Sequence, residues 1–394
     1  MSRDFPALSS DRPFGIDRRR LVGGLAAAGI ATSAMPALRG AAQDATPEGL
    51  PQQLIDAGKS PDLINHGSSF EMPMSGYDEF LTPNDRFFVR ANGPFTVDVS
   101  PEDWRLTITG LVDSELELSI DDLKKMESTT ITAWIECSGN GRGRFGTDPQ
   151  PPSGTPWIHG GIGNAEWEGI RVADLLGAAG VQEGAIDVVS QGGDFEGMRR
   201  GLPLAKALDP ATMIVWSMNG EDIPNPNGGP LRLLVPGWGG IASTKWVVNL
   251  EVIDHPFDGE FNTESYVYID EDGSILRPVT ELGPKSVITS HEPDSSTQAG
   301  AQKVFGFAWS GHGGIARVEV STDGGENWEE AEITQEAGPY SWVRFEYDWE
   351  AASGEATLAS RATDARGLNQ PFSIPWNAKG YGMNEIFMIP LTVE

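Results

Sequence analysis

From Trp104 the stretch WRLTITGLV places apolar residues at alternate positions, the spacing of a strand with one buried face, and TTITAWIEC does the same from Thr129. The runs MIVWSM, LRLLVPG and TKWVVNLEVI are apolar almost without interruption, as strands covered on both faces are. Between them SIDDLKKM, with Ser119 at the N-cap position, reads as a short helix, and VADLLGAAG and LPLAKAL read as two more. The body these elements predict is α+β. Beyond about residue 275 the helical spacing stops. There VFGFAWSG, ARVEVSTDGG, YSWVRFEYDWE and ATLASRATDARG alternate and are separated by turn residues, the pattern of an all-β sandwich. A boundary near Pro284 gives a body over 81–283 and a sandwich over 284–394. Residues 43–80 mix Pro, Gly and polar side chains with no sustained period and predict an extended arm lying on the body, with no part in function. No repeat of fixed period emerges, and no stretch is long and apolar enough to cross a membrane.

Ahead of the arm, Asp17, Arg18, Arg19 and Arg20 precede the run GGLAAAGIATSAMPAL, which leads to Gly40, Ala41 and Ala42. A charged start, a weakly apolar stretch and an Ala-rich end are the layout of a cleavable export signal over 1–42. The paired arginines directly before the apolar run resemble a twin-arginine signal, whose route carries folded proteins and suits a cofactor inserted before export. The expected location is periplasmic or extracellular.

Charge narrows the choice of partners. With 394 residues, 39% of them hydrophobic, the chain can bury substantial cores, and wholesale disorder is excluded. Its 57 acidic residues outnumber 28 basic ones, for a net charge of -29. Residues 1–42 hold 6 basic and 3 acidic residues, so the remainder has 22 against 54 and carries -32. Such a surface repels nucleic acid and anionic membranes. Only 8 of the basic residues are Lys, and this acid-rich, Lys-poor balance resembles proteins of very salty environments, where screening shortens self-repulsion. Cys137 is the only cysteine, so the chain forms no internal disulfide and carries neither a CxxC pair nor a CxxCH haem-attachment motif.

Cys137 lies in WIECSGNGRGRFG, where a strand ends and a Gly-rich loop begins. Gly139, Gly141 and Gly143 would let backbone approach a ligand closely, and Arg142 and Arg144 supply anion-binding donors, so the corner suits a phosphate-bearing cofactor. A lone buried Cys is commonly a small hydrophobe. A thiolate is also a soft ligand, favoured by nearby positive charge or a metal, and one Cys suffices when a cofactor supplies the other donors.

The pieces PNDRFFVRANG (83–93), ECSGNGR (136–142), HGGIGNAEWEG (159–169), LRLLVPGWGGIASTKW (231–246), AWSGHGGIARVEVSTDGGENW (308–328), RATDARGLNQP (361–371) and WNAKGYGMN (376–384) follow one another in order. Over roughly residues 60–390 they resemble the sulfite oxidase family of molybdenum enzymes, including the sulfite dehydrogenases of bacterial sulfur oxidation. The resemblance implies a molybdopterin-binding domain followed by an immunoglobulin-like dimerisation domain, hence a homodimer, with Cys137 as the protein's ligand to molybdenum. It places Arg90 beside the metal to meet an anionic substrate, a surface ion pair being the other reading of that residue. It makes Ser243, Thr244 and Lys245 the grip on the pterin phosphate. Arg232 lies in an otherwise apolar strand, where a charge needs a partner, and a phosphate is one. Asp194 resembles a position that hydrogen-bonds pterin nitrogens, or else simply forms a turn. Tyr266 resembles the tyrosine near the metal, with Tyr268 as the alternative, and Trp167 is either a wall of the substrate pocket or a core residue.

The chain also departs from the family pattern. Many members have Asn-His where this chain has Ala91 and Asn92, and many have His at Asn227. Amides donate hydrogen bonds too, so both positions are assigned to cofactor binding. The animal enzymes carry a second substrate arginine in the dimerisation domain, and the matching GYGMNEIFMIP has none. His159 and His312 stand outside any zinc spacing and read as polar core or loop residues.

The resemblance implies oxidation of sulfite, a small anion, to sulfate by oxygen-atom transfer. With no haem motif or flavin fingerprint in the chain, the electrons pass to a separate acceptor such as a c-type cytochrome or a haem-bearing partner subunit. Two other readings stand beside it: the same cofactor and fold acting on another oxyanion or a sulfoxide, and a non-catalytic exported β-sandwich binding protein with an inert Cys137. If an anion must approach this acidic surface, screening helps it, because the Debye length shrinks from about 10 Å at 0.1 M salt to about 3 Å at 1 M. The KM for sulfite is expected to fall as salt rises; a rise in folded enzyme would overturn the charge argument.

Overall fold

The run Met213–Met218 is a strand buried at all of its positions, as its unbroken apolar sequence requires. In the computed structural model, which describes residues 49–98 and 100–394, it sits inside an antiparallel five-stranded sheet. Ile162–Arg171 and then Thr129–Glu136 lie on one side, and Glu221–Asp222 and Arg232–Leu234 pair with it on the other. The export signal expected over 1–42 lies outside the described residues. A second five-stranded sheet has the order Leu116–Ser119, Arg105–Gly110, Val247–Ile253, Asp187–Gly192, Arg199–Pro203, with one parallel pair in its interior. Leu106, Ile108, Leu250 and Val252 of this sheet share one core with Ile170 and Ile214 of the first.

The helices expected from the sequence are present but small. The longest among the described residues is Val172–Ala179, and the other four are of four or five residues. Ile120–Lys124 is capped as expected: the Ser119 hydroxyl accepts from Asp122 N at 3.1 Å, and Asp122 Oδ2 accepts from Ser119 N at 3.2 Å. The α+β expectation therefore gives the helices too much weight. SIDDLKKM and LPLAKAL carry enough helical spacing for about one turn, and the body is mostly strand.

From Lys285 the chain forms an all-β, sandwich-like region of eight strands, antiparallel except where Ser295–Thr297 joins Met388–Val393. Its own core includes Val304, Val318, Phe345 and Leu358.

The arm differs from its expectation. Ser69–Glu71 is the middle strand of a three-stranded antiparallel sheet with Ile64–Asn65 and Val89–Arg90, and Ser69 stands opposite Arg90. Buried Lys59 donates to the carbonyls of Asn84 and Phe87, and the buried Glu71 carboxylate accepts from the backbone N–H of His159 at 2.7 Å and of Gly160 at 2.6 Å. Phe70, Met72 and Tyr77 share a core with Phe307, Trp309 and Trp342 of the C-terminal region. The arm shows no period because it contributes single side chains to a core built by others. It is part of the scaffold under Arg90. Phe70→Ala is expected to lower stability by about 3–5 kcal/mol, the range for emptying a buried aromatic site, measured from the denaturant midpoint. A cost below about 1 kcal/mol, the scale of a surface change, would show the arm to be laid on rather than built in.

Candidate active site

Phe87, Phe88 and Val89 are buried, so the short strand Val89–Arg90 leaves a fixed base and carries half-buried Arg90 to the rim of a cleft of about 570 Å³. Arg90 Nη2 donates to Asn92 Oδ1 at 2.8 Å, and the Tyr266 hydroxyl donates to the same oxygen at 3.1 Å. One amide oxygen thereby ties the cation to the phenol. The Tyr266 ring stacks on Tyr381 with centroids 5.5 Å apart and planes 13° apart. Burial raises the Tyr266 pKa, so the phenol stays protonated and remains a donor. Tyr268 lies elsewhere, under the Arg277 guanidinium at 4.3 Å, which settles the choice between the two tyrosines as to which shares the cleft.

Cys137 follows the strand Thr129–Glu136 and lines the same cleft. Its N–H donates to the Gly161 carbonyl at 2.7 Å, and its carbonyl accepts from Asn140 N at 2.9 Å. Burial pushes the thiol pKa up, while Arg142 and Arg90 pull it the other way. Among the described residues no group of three or more His, Cys, Asp or Glu is gathered to hold a metal. A metal at Cys137 must take its other donors from a cofactor.

The Gly-rich corner does not form the expected phosphate cradle. A Cβ at Gly139 would lie 2.2 Å from Arg142 Nη2, and one at Gly141, where φ is 91°, would lie 2.5 Å from Met383 Cγ. These glycines make room for the chain's own side chains. Arg144 turns away to the carbonyls of Glu385 and Ile386.

Anion-binding groups gather instead on another wall of the cleft. Arg232 enters from the strand Arg232–Leu234, and Ser243, Thr244 and Lys245 from the segment before Val247–Ile253. The segment is fixed from behind: Thr244 Oγ1 bonds Ser190 Oγ at 2.8 Å, Ser243 Oγ accepts from Val235 N at 3.0 Å, and Trp246 takes a left-handed φ of 50°. Arg232 is 6% exposed, and its Nη1 donates to the Asn227 carbonyl at 2.6 Å. Its Nε has no partner, and burial lowers its pKa to about 9. Burial, and then the Arg232 charge, hold the Lys245 ammonium well below its ordinary pKa; its Nζ donates to the Pro226 carbonyl at 3.0 Å. Neither cation forms an ion pair among the described residues. Asp194 also faces the cleft, with its pKa raised by burial and its Oδ1 unpartnered. Asn227 stands behind the wall, where its Nδ2 donates to the Phe88 carbonyl at 3.1 Å while its Oδ1 is unpartnered.

A funnel of about 1030 Å³, open to solvent, shares Arg90, Asn92, Cys137 and Tyr266 with this cleft. Its further walls include Trp157, Arg142, Lys379 and Tyr381. Arg142 Nε donates to the Lys379 carbonyl and Nη1 to the Thr155 carbonyl, each at 2.7 Å, and its guanidinium lies 5.2 Å from the Tyr381 ring centre. Trp167, read as a possible pocket wall, is fully buried in the core instead; its Nε1 donates to the Ala133 carbonyl at 2.9 Å, and Phe87 packs edge-on against it. The tryptophan of the pocket is Trp157, one of the residues the sequence reading passed over, with Tyr381 and Lys379. Their signal was available: each sits in or beside a motif, WIHGG or WNAKGYG. His159 lies in the core against Phe387, 4.3 Å between ring centres, as expected of a polar core residue.

Comparison with known proteins accounts for these features. The model of the oxidoreductase molybdopterin binding domain matches residues 92–261, and that of the Mo-co oxidoreductase dimerisation domain matches 277–394. The sulfite oxidase of Arabidopsis thaliana is 30% identical over 340 residues, covering 76% of this chain and 85% of its own. The mitochondrial sulfite oxidase of Drosophila melanogaster is 30% identical over 351 residues; the match covers 80% of this chain and 60% of that protein's length. In fold, the chain is similar to the sulfane dehydrogenase SoxCD of Paracoccus pantotrophus, with a TM-score of 0.76 and 33% identity, covering 90% of this chain and 95% of that one. Molybdopterin fits the cleft: its phosphate answers the unpaired Arg232 and Lys245, its N–H groups answer Asp194, and a soft metal answers the thiol.

If Arg232 is held for a ligand's charge, the cofactor-free chain carries it at a cost. Arg232→Met is expected to stabilise that chain by about 1–3 kcal/mol, seen as a raised Tm, while abolishing cofactor retention. A lower Tm with retention intact would show that Arg232 serves the fold alone.

Proposed function

As the chain belongs to the sulfite oxidase family of molybdopterin-dependent oxidoreductases, we propose that it oxidises sulfite to sulfate and passes the electrons to a separate acceptor. The observation that carries this reading is the meeting of one thiol, a guanidinium and a neutral phenol at the junction of a cleft lined by anion-binding groups and a solvent-facing funnel. Bound molybdenum-molybdopterin supplies oxygen-atom transfer to sulfur and the one-electron steps that complete the cycle. The chain's own residues do the rest. Arg232, Ser243, Thr244 and Lys245 bind the phosphate, Asp194 accepts from the pterin, and Cys137 gives its thiolate to the metal. Arg90, aimed by Asn92, neutralises and orients the incoming anion, and Arg142 adds positive charge along the approach. Tyr266 turns its O–H from Asn92 to an oxygen bound at the junction, and Trp157 limits water in the funnel.

Export by the twin-arginine route to the periplasm or beyond, an acceptor such as a c-type cytochrome, and a homodimer formed through an immunoglobulin-like second domain complete the proposal. The charge of -32 outside residues 1–42 favours a cationic acceptor. One observation favours a second substrate reading: the likeness, at 33% identity over 90% of this chain, to the sulfane dehydrogenase of Paracoccus pantotrophus, which suits a larger sulfur anion.

Cys137→Ala is expected to abolish both molybdenum content and sulfite oxidation. Arg90→Gln is expected to keep the metal and raise the KM for sulfite by about tenfold or more, as losing one partner of a charge-assisted contact does, while leaving the KM for a neutral sulfoxide unchanged. Metal content by elemental analysis and steady-state rates on both substrates decide the matter. Full activity and full metal content in Cys137→Ala would end the assignment of Cys137 to the metal, and an equal effect of Arg90→Gln on both substrates would end the assignment of Arg90 to the anion.

A further inference from the structure

Glu136, the residue before Cys137, is 3% exposed, and its carboxylate is fully engaged. Oε1 accepts from Asn140 Nδ2 and from Lys285 Nζ, each at 2.9 Å, and Oε2 accepts from Trp309 Nε1 at 2.8 Å. Lys285 and Trp309 belong to the C-terminal region, where they stand opposite each other in the pair Lys285–Ile288 and Gly300–Trp309. Asn140, in turn, closes the loop that starts at Cys137. Its N–H donates to the Cys137 carbonyl at 2.9 Å, its Oδ1 accepts from Gly161 N at 3.1 Å, and its carbonyl accepts from Lys285 Nζ at 3.4 Å. A continuous set of hydrogen bonds therefore runs from the C-terminal region to the turn that presents the thiol.

Neither Glu136, Lys285 nor Trp309 lines the cofactor cleft or the funnel, so none of them touches cofactor or substrate there. Stability alone is a weak reason for such a pair: a buried ion pair recovers little more than its desolvation cost, and apolar residues of similar size do as well. What a buried pair gives that an apolar pair does not is a fixed register between the parts it joins. We propose that Lys285 is a positioning residue. Acting through Glu136 and Asn140, it makes the C-terminal region set the place and exposure of the Cys137 sulfur. The consequence for the metal rests on the molybdenum reading, whereas the geometry of the turn does not.

Because Cys137 is the only cysteine, alkylation reports on it without background. In the full chain prepared without cofactor, Lys285→Met is expected to speed alkylation of Cys137 about tenfold, as local loosening of a protected site does, with the folded state confirmed by circular dichroism. Trp309→Phe, which removes one donor and leaves the ion pair, is expected to move the rate the same way by less, and Lys285→Arg to return it toward the parent. In the holoenzyme, Lys285→Met is expected to shift the thiolate-to-metal charge-transfer absorption. Unchanged alkylation in folded Lys285→Met overturns the proposal, as does a rise that Lys285→Arg fails to reverse. Should Lys285→Met not fold, an unchanged rate in Trp309→Phe is the overturning result. A parent holoenzyme without the charge-transfer band would sink the molybdenum reading while the alkylation series still decides the role of Lys285.

Discussion

Positive charge held largely out of water, with no salt bridge among the described residues to balance it, is the condition on which this molecule is built. Arg232 is buried and Lys245 half-buried on one wall of the cleft, neither in an ion pair among the described residues, in a chain where acidic residues outnumber basic ones about two to one. A fold free to minimise its own energy would have paired them. Their hydrogen bonds go to the carbonyls of Asn227 and Pro226, which orient the cations without neutralising them. The charge is left for something that arrives from outside, and a phosphate-bearing cofactor is the group whose chemistry answers it.

The supports for this arrangement come from three stretches far apart in sequence. The strand Ser69–Glu71 backs Arg90, the turn after Glu136 carries Cys137, and Lys285 and Trp309 hold that turn from the C-terminal region. The shared core of Phe70, Tyr77, Trp134, Phe307 and Trp342 joins the same three stretches in apolar terms. Division at Pro284 describes the order of the strands well and the mechanics of the site poorly, because the residues that fix the turn at Cys137 lie on both sides of it.

Much of this was legible in the sequence, for reasons that can be named. Alternation and unbroken apolar runs located the strands because burial on one or both faces leaves that mark, as in Thr129–Glu136 and Met213–Met218. Arg232 stood out because a charge amid apolar neighbours in a strand has to be explained. What failed was whatever depends on contacts distant in sequence. Trp167 and Trp157 are both fully buried, and nothing local tells which one borders the funnel. The glycines after Cys137 signalled close approach correctly, but the approaching groups are Arg142 and Met383. The arm looked featureless because its role is to place single residues against partners elsewhere.

The missing second arginine of the C-terminal motif takes on a different meaning once Arg142 is located. Arg142 lies five residues beyond Cys137, on the loop that begins at the thiol, and is pinned between the carbonyls of Lys379 and Thr155. A cation fixed to that loop moves with the thiol, so the distance between sulfur and positive charge is set by local chain geometry. An arginine reaching in from the second domain would have its distance set by domain packing instead. With Arg90 held by Asn92, the funnel has two guanidiniums, each aimed by neutral oxygens that leave its charge available. In the proposed reaction, that arrangement draws an anion through a surface that otherwise repels one.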